Sequence, residues 1–583
     1  MTKLQFQMHT CERTTHQRPG GTQGNWLIAD TSRWNVHRTP RRSPSPFLGG
    51  GEKVAAGRMR GEATNADARN PSPQPSLLLR GREREPDRSP ARPRIPHSAF
   101  RIPHLLALAL LLFCTPASAA HASDWENSLV YLEVTRKAYE VFQPWSPKAR
   151  TVQKNGLVIG AREILTTAEE LSDRTLVRVQ KGGRGKWWNA EVVWLDYHAN
   201  LAVLTVQDPT LWQGLKPASF HSGKPPKDGL QIVRWRSGNL ETRKAEFNQF
   251  LVEDARLSFI QHLQLEASTE MQAVGWAEPL VANGKVVGLA TGQGGTNARF
   301  LPASFIEPIL TARKAGKYPG LGFFPFTWQP VENPSTFKFL KLPGEPRGAL
   351  VIDVPATPKV EPNLKPRDLI LQVDGFNVDN QGYYKDPDYG QLIVENLGSR
   401  RKFAGDVVKM KVWRDGAEVS LDYRLPKLDY AVKLLADQTF DQAPEYLIAG
   451  GLVLQPLNIP LLRGFGDDWK RRAPFRLAHY AGEAPSAERT GLVVLTSVLP
   501  DPYVVGYQDA RFLVVDAING QKISRLADVQ AALQKPQDGF HTVEFLRGDN
   551  LRRIVVDAGE MDAATKRILE RYRIPAASNV GAK

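Results

Sequence analysis

Asn200-Leu201-Ala202-Val203-Leu204-Thr205-Val206 is a short, almost wholly apolar run with three β-branched residues. That is the composition of a strand buried on both faces. Downstream, Val286-Val287-Gly288-Leu289-Ala290 reads the same way. In Val408-Lys409-Met410-Lys411-Val412 the apolar residues alternate with lysines, so one face is wet. Asn-Gly or Asp-Gly pairs at 155–156, 283–284, 374–375, 415–416 and 519–520 offer tight-turn chemistry. Helical patterns are few. One runs from Ser524 to Gln534, where Leu526, Val529 and Leu533 share a face, and a polar one runs from Asp562 to Tyr572. Breaks near Lys314–Pro319 and Leu425–Leu428 divide the chain into β-rich modules at 124–314, 315–428 and 429–575.

The 583 residues carry 76 Lys+Arg, 61 Asp+Glu and a net charge of +15. That balance invites a nucleic-acid or anionic-surface reading. The excess is uneven, however. Residues 1–122 hold 18 basic and 8 acidic side chains, and the remaining 461 hold 58 and 53, a net of only +5. Nucleic acid therefore loses its main support as a partner. Two cysteines exclude a disulfide scaffold and a multi-cysteine zinc site. There is no H-E-x-x-H, no P-loop and no dinucleotide fingerprint, so no metal and no cofactor are expected.

Residues 1–100 are rich in Arg, Pro, Ser and Gly without periodicity, the composition of a disordered basic segment. Arg94-Ile95-Pro96-His97 recurs as Arg101-Ile102-Pro103-His104. The segment reads either as a binding tail or, by preference, as the product of a start assigned too far upstream, with Met59 or a codon near residue 95 as alternatives. Arg101, the apolar run Leu105–Phe113 and the small residues at 117–122 make a signal peptide over 101–122. The run is too short to span a bilayer. Cys114 follows Phe113 where a lipoprotein needs a small residue. Cleavage after Ala119 or Ala122 leaves an exported chain, periplasmic or extracellular, without cysteine or transmembrane segment.

Three segments carry a family resemblance. Ile164-Leu165-Thr166-Thr167-Ala168-Glu169 resembles the I-L-T-x-A-H segment of HtrA/Deg (Do-like) serine proteases, whose histidine is the general base; here that residue is Glu169. Asn200-Leu201-Ala202-Val203-Leu204 is similar to the family's D-L-A-V-L, with Asn200 in place of the aspartate. Val274-Gly275-Trp276-Ala277-Glu278-Pro279-Leu280 stands where the family has G-N-S-G-G-P-L, so Trp276 replaces the nucleophile. The resemblance implies a trypsin-like double β-barrel followed by two PDZ domains. It also implies a degenerate triad, because a serine needs a neighbouring base and Trp276 offers no nucleophile at all. Glu278 brings negative charge towards a place meant to stabilise an anion. Of His198, His221 and His262, none is paired with a serine by spacing. Trp187, Trp188, Trp194 and Trp235 read as barrel packing before a ligand platform.

Gly320-Leu321-Gly322-Phe323 resembles the carboxylate-binding loop of PDZ domains, in which successive backbone N–H groups form a nest. Asn363-Leu364-Lys365-Pro366-Arg367-Asp368, continuing to Gly375, is similar to the PDZ segment G-L-K-P-G-D-x-I-L-x-V-D-G. Residues 391–397 are expected as the helix flanking the groove, presenting Leu392 and Ile393 to a peptide. The third module resembles the second PDZ domain of Do-like proteases, with Gly450, Gly451, Leu452 and Val453 at the loop position. The expected function is a non-catalytic scaffold, chaperone or regulator that binds peptide C-termini or unfolded chains. Its expected assembly is a homo-oligomer or a mixture with an active paralogue. The alternative is an active serine endopeptidase with a relocated site.

Overall fold

The computed structural model describes residues 125–221, 223–355, 363–427, 433–547 and 551–581. The basic segment 1–100 and the signal segment 101–122, with Cys114, lie outside the described residues. What is described is mainly β.

Strands β1 (Leu129–Glu140), β2 (Gln143–Gly160), β3 (Glu163–Thr166), β4 (Arg174–Lys181), β5 (Trp187–Asn189), β6 (Glu191–Asp196) and β7 (Leu201–Thr205) form one antiparallel sheet in the order β5-β4-β1-β2-β3-β7-β6. Its two edge strands are separated in sequence by Ala190 alone, so the sheet must curl until its edges nearly meet. The alternation of side chains sorts this sheet's residues into two cores. Val130, Val158, Ile164, Ala202 and Leu204 fill its inside. Leu129, Leu157, Leu165, Leu201 and Val203 face outward. There they meet Trp235, Val281, Leu289 and Leu301 of a second body. This is why residues 201–204 are apolar at every position.

The second body is a closed barrel of β8 (Gln231–Arg236), β9 (Asn239–Asp254), β10 (Gln261–Thr269), β11 (Pro279–Ala282), β12 (Lys285–Gly294) and β13 (Asn297–Pro302), and α1 (Ala303–Lys314) leads out of it. A third sheet follows. It orders β14 (Thr327–Gln329), β15 (Ala349–Asp353), β16 (Leu369–Val373), β20 (Val407–Arg414) and β21 (Ala417–Arg424), with β17 (Phe376–Asn377) paired to β16. Helix α2 (Pro334–Phe339), the hairpin β18 (Tyr383–Asp386) and β19 (Gly390–Ile393), and the single turn α3 (Asn396–Ser399) complete this region.

The last sheet orders β28 (Arg553–Asp557), β27 (Phe540–Phe545), β25 (Leu513–Ile518), β24 (Val493–Val498), β23 (Leu452–Pro456), β22 (Tyr446–Ala449) and β29 (Ser578–Asn579), with β26 (Gln521–Lys522) on β25. Short helices α4 (Ile459–Arg463), α5 (Trp469–Arg472) and α6 (Phe475–Ala478) occupy the β23–β24 connection, and α7 (Leu526–Leu533) and α8 (Met561–Tyr572) follow. The two helices expected near 524–534 and 562–572 are thus present, and β20 alternates buried and exposed residues as its lysines required.

Two expectations of local structure fail. Asn155-Gly156 is not a turn but lies inside the long strand β2. Tertiary packing overrides the turn preference here: Asn155 Oδ1 accepts the Trp235 N–H at 3.0 Å, and Gly156 faces Ile164 so closely that a Cβ would come within 2.6 Å of it. Residues 391–397 do not form one helix: 391–393 belong to β19, and only Asn396 and Leu397 enter the single turn α3. Asp386 accepts the Asp388 N–H at 2.9 Å and the Arg400 guanidinium at 2.6 Å, which holds a hairpin through Gly390 in place of a helical start.

The β1–β2 hairpin reaches well beyond its own sheet. At its tip Phe142 packs edge-on against Phe465 and Phe512, with ring centroids 5.4 and 5.6 Å away, and Trp145 packs on Tyr446. The barrel interior and the third sheet share one continuous core, joined where Phe250 meets Tyr389.

Candidate functional site

Pairing of β3 with β7 brings together two of the sequence-singled residues. The register Thr166↔Ala202 places Glu169, just past β3, beside Asn200, just before β7. The Glu169 N–H donates to Asn200 Oδ1 at 3.1 Å. Trp276 arrives from the barrel, in the β10–β11 loop, and its carbonyl accepts the Asn155 N–H at 2.8 Å. All three therefore gather where the curled sheet meets the barrel.

What they can do chemically is limited by their partners. Glu169 is 6% exposed and its Oε1 lies 2.7 Å from the Arg256 guanidinium, while Oε2 is buried without a hydrogen-bond partner. Burial raises its pKa, and Arg256 and Lys154 pull it back. A carboxylate so placed faces a cation, not a hydroxyl. Lys154 is fully buried beneath it and donates to the Thr167 carbonyl, Thr167 Oγ1 and the Glu169 carbonyl at 2.7, 2.8 and 2.5 Å. Burial brings the Lys154 ammonium down to about 8, against the opposing charges of Glu169, Glu170 and Glu278.

The loop that should cradle an oxyanion is filled from within. Glu278 Oε2 accepts the N–H groups of Gly275 and Trp276 at 2.9 and 2.6 Å, and the Val274 N–H donates to Gln293 Oε1 at 3.0 Å. Glu278 is 1% exposed; burial raises its pKa and these backbone hydrogen bonds oppose the rise. Ala277 holds a left-handed φ of 62°, a strained choice for a residue with a Cβ. Beside this loop lies a polar pocket of about 370 Å³, lined among others by Arg256, Gln272, Trp276 and Gln293. A larger cavity of about 600 Å³ opens on the other side of Arg256, where Glu169, Glu170 and Tyr197 face Phe440 and the start of α7.

The histidines correct one expectation. His198 Nδ1 lies 2.9 Å from Ser258 Oγ, so a serine–imidazole pair does exist. Sixty residues separate the two, and only the return of the β9–β10 connection beside the β6–β7 turn joins them, so no local spacing announced it. Ser258 is buried. His262 is fully buried and hydrogen-bonded to the His198 carbonyl at 2.6 Å, and burial pulls it down to about 4. His221 sits against the Lys224 carbonyl. Trp235 is core, its indole N–H donating to the Leu129 carbonyl at 2.7 Å. Arg256 and Lys154, which organise the centre, carried no motif.

At the expected peptide loop, Gly320 holds φ 110° and its carbonyl accepts the Ala404 N–H at 3.0 Å. Leu321 and Phe323 are buried in the core shared by sheet and barrel, and Phe323 packs edge-on to Phe259. At Gly322 a Cβ would meet Leu425 Cδ1 at 2.6 Å and the Gly398 carbonyl at 2.9 Å. Leu392, expected to touch peptide, is instead 2% exposed in the core, and Ile393 is half-buried. In the last sheet Gly450 and Gly451 turn β22 into β23 with φ of 56° and 100°. Strand β23 is paired on both sides, by β22 and β24, and so has no free edge for an added strand.

Among known proteins, a PDZ domain family model matches residues 435–579. The chain is 24% identical over 456 residues to the putative protease Do-like 13 of Arabidopsis thaliana, covering 77% of this chain and 88% of that protein. It is 24% identical over 476 residues to the chloroplastic protease Do-like 2 of the same plant, covering 79% and 76%. The chain belongs to the HtrA/Do-like protease family. Among solved structures this HtrA/Do-like chain is similar to the HtrA-type protease AlgW with decapeptide, at 15% identity and a TM-score of 0.39, covering 52% of this chain and 96% of that one. Its fold is mainly β, and the PDZ match lies at the C-terminal end.

Proposed function

We propose that this HtrA/Do-like chain is an exported, non-catalytic member that binds peptide C-termini or unfolded chains and works as a scaffold, chaperone or regulator. The module limits 124–314, 315–428 and 429–575, removal of the 101–122 signal, the Gly320–Phe323 backbone as the peptide-carboxylate nest, and a homo-oligomer, alone or mixed with an active paralogue, belong to the same reading. One observation carries it: the Glu278 carboxylate sits on the Gly275 and Trp276 N–H groups, beside a tryptophan where the nucleophile is needed. An oxyanion developing there would meet a carboxylate instead of open donors.

The second reading, a serine endopeptidase with a relocated site, has a specific favouring observation in the His198–Ser258 hydrogen bond. Its relatives are themselves named proteases. The purified protein, incubated with unfolded casein and with a fluorophosphonate probe, separates the two. No cleavage and no labelling are expected. Cleavage that disappears in Ser258→Ala would overturn the non-catalytic reading and identify the nucleophile.

A further inference from the structure

The β23–β24 connection does more than close a loop. Its inner side is anchored: Leu461, Leu462, Ala473 and Leu477 are buried against Leu492, Val494 and Val514 of the last sheet. Its outer side presents Lys470, Arg471 and Arg472, consecutive and exposed. Phe475 follows at 82% exposure, the highest of any large hydrophobic residue among those described. Trp469 flanks the run half-buried, with the Lys470 ammonium 5.9 Å from its ring. From Arg463 to Tyr480 there are five Lys or Arg against two Asp, a net of +3 in eighteen residues. The three consecutive cations stand together on one exposed turn, with Arg471 also paired to Asp468 at 3.5 Å.

We infer that Trp469–Phe475 is a contact for an anionic lipid surface, with Lys470, Arg471 and Arg472 on the phosphates and the Phe475 ring entering the headgroup–acyl boundary. Aromatic side chains beside lysine and arginine suit that boundary, where one end is apolar and the other wet. Self-association fits less well, because a two-fold contact through this patch would set three cations against their own copies. Nucleic acid fits less well because Trp469, the other aromatic residue of the run, is half-buried with Lys470 over its ring, which leaves Phe475 alone as a stacking platform.

The test is co-sedimentation of the full chain with vesicles of phosphatidylcholine alone and of phosphatidylcholine with phosphatidylglycerol. Binding is expected only to the second and should weaken with salt. Lys470→Glu/Arg471→Glu/Arg472→Glu should weaken it about a hundredfold. Phe475→Ser should weaken it about tenfold without moving the melting temperature, since the side chain touches little of the core. Equal partition onto both vesicles, or none, overturns the inference. So does a change of sedimentation coefficient in Phe475→Ser, which would mark a surface between copies. Phe475-dependent binding of single-stranded DNA, with vesicle binding indifferent to Phe475, would overturn it in favour of nucleic acid.

Discussion

Glu278 is the residue on which the centre turns. Its carboxylate is buried and holds two backbone N–H groups. Charge-assisted hydrogen bonds of this kind contribute about 1.5–3 kcal/mol each. Glu278→Ala leaves both donors buried and unsatisfied and should destabilise by about 3 kcal/mol in urea titrations. Glu278→Gln keeps an acceptor oxygen and should cost about 1 kcal/mol. Equal losses would mean the hydrogen bonds are not what the carboxylate supplies. His262 gives a pH dependence of definite sign. Its ordinary value of 6.5 is lowered to about 4 by burial, so between these pH values the unfolded chain takes up a proton that the folded chain refuses. Stability present above pH 6.5 should therefore fall by about 3 kcal/mol towards pH 4. Glu169 and Glu278, raised by burial, act with the opposite sign in acid. The difference between the protein and His262→Gln, which retains a donor for the His198 carbonyl, isolates the histidine. Parallel stability–pH curves for the two would refute the assignment.

Among the elements, strands β7 and β12 were legible because each is apolar on both faces, so a few residues of each suffice. The His198–Ser258 pair and the Arg256–Glu169 ion pair were not, because only the packing of barrel against sheet creates them. The mistaken helix at 391–397 has the same origin: its hairpin is held by Arg400 reaching back to Asp386. The Gly320–Phe323 loop shows the cost of reading a motif without its neighbours. Gly322 lacks room for a Cβ, so Gly322→Ala should destabilise by about 1–3 kcal/mol through overpacking, whatever the loop binds. Peptide capture is better tested from the ligand. A peptide with a free C-terminal carboxylate should bind about tenfold more tightly than its amide, since a nest of N–H groups favours the anion. Calorimetry showing equal affinities would count against the nest.

Across the whole molecule, residues 433–445 tie the last sheet to the face that bears Glu169. Phe440 stacks on Tyr197 with ring centroids 3.8 Å apart. Asp441 accepts the Tyr197 hydroxyl at 2.7 Å, the Asp173 N–H at 3.0 Å and the Arg174 guanidinium at 3.2 Å, while its own N–H donates to Ser172 Oγ at 3.1 Å. The connector so forms one wall of the 600 Å³ cavity. These hydrogen bonds link a loop to a loop, and the side chain of Asp441 is 43% exposed, so their removal bears on local opening more than on global unfolding. Asp441→Ala should leave the midpoint of global denaturation almost unchanged. It should also raise the population of a detached connector about tenfold, the equivalent of about 1.4 kcal/mol. Limited proteolysis under native conditions reads that population when opening is fast relative to cleavage. Nicking within 433–445 that speeds up tenfold in Asp441→Ala, and comparably in Tyr197→Phe with Phe440→Ala, is the expected result. Unchanged nicking in both would show that the apolar contacts of Leu434 and Leu435 with Leu457 and Leu492 hold the connector without help from its polar end.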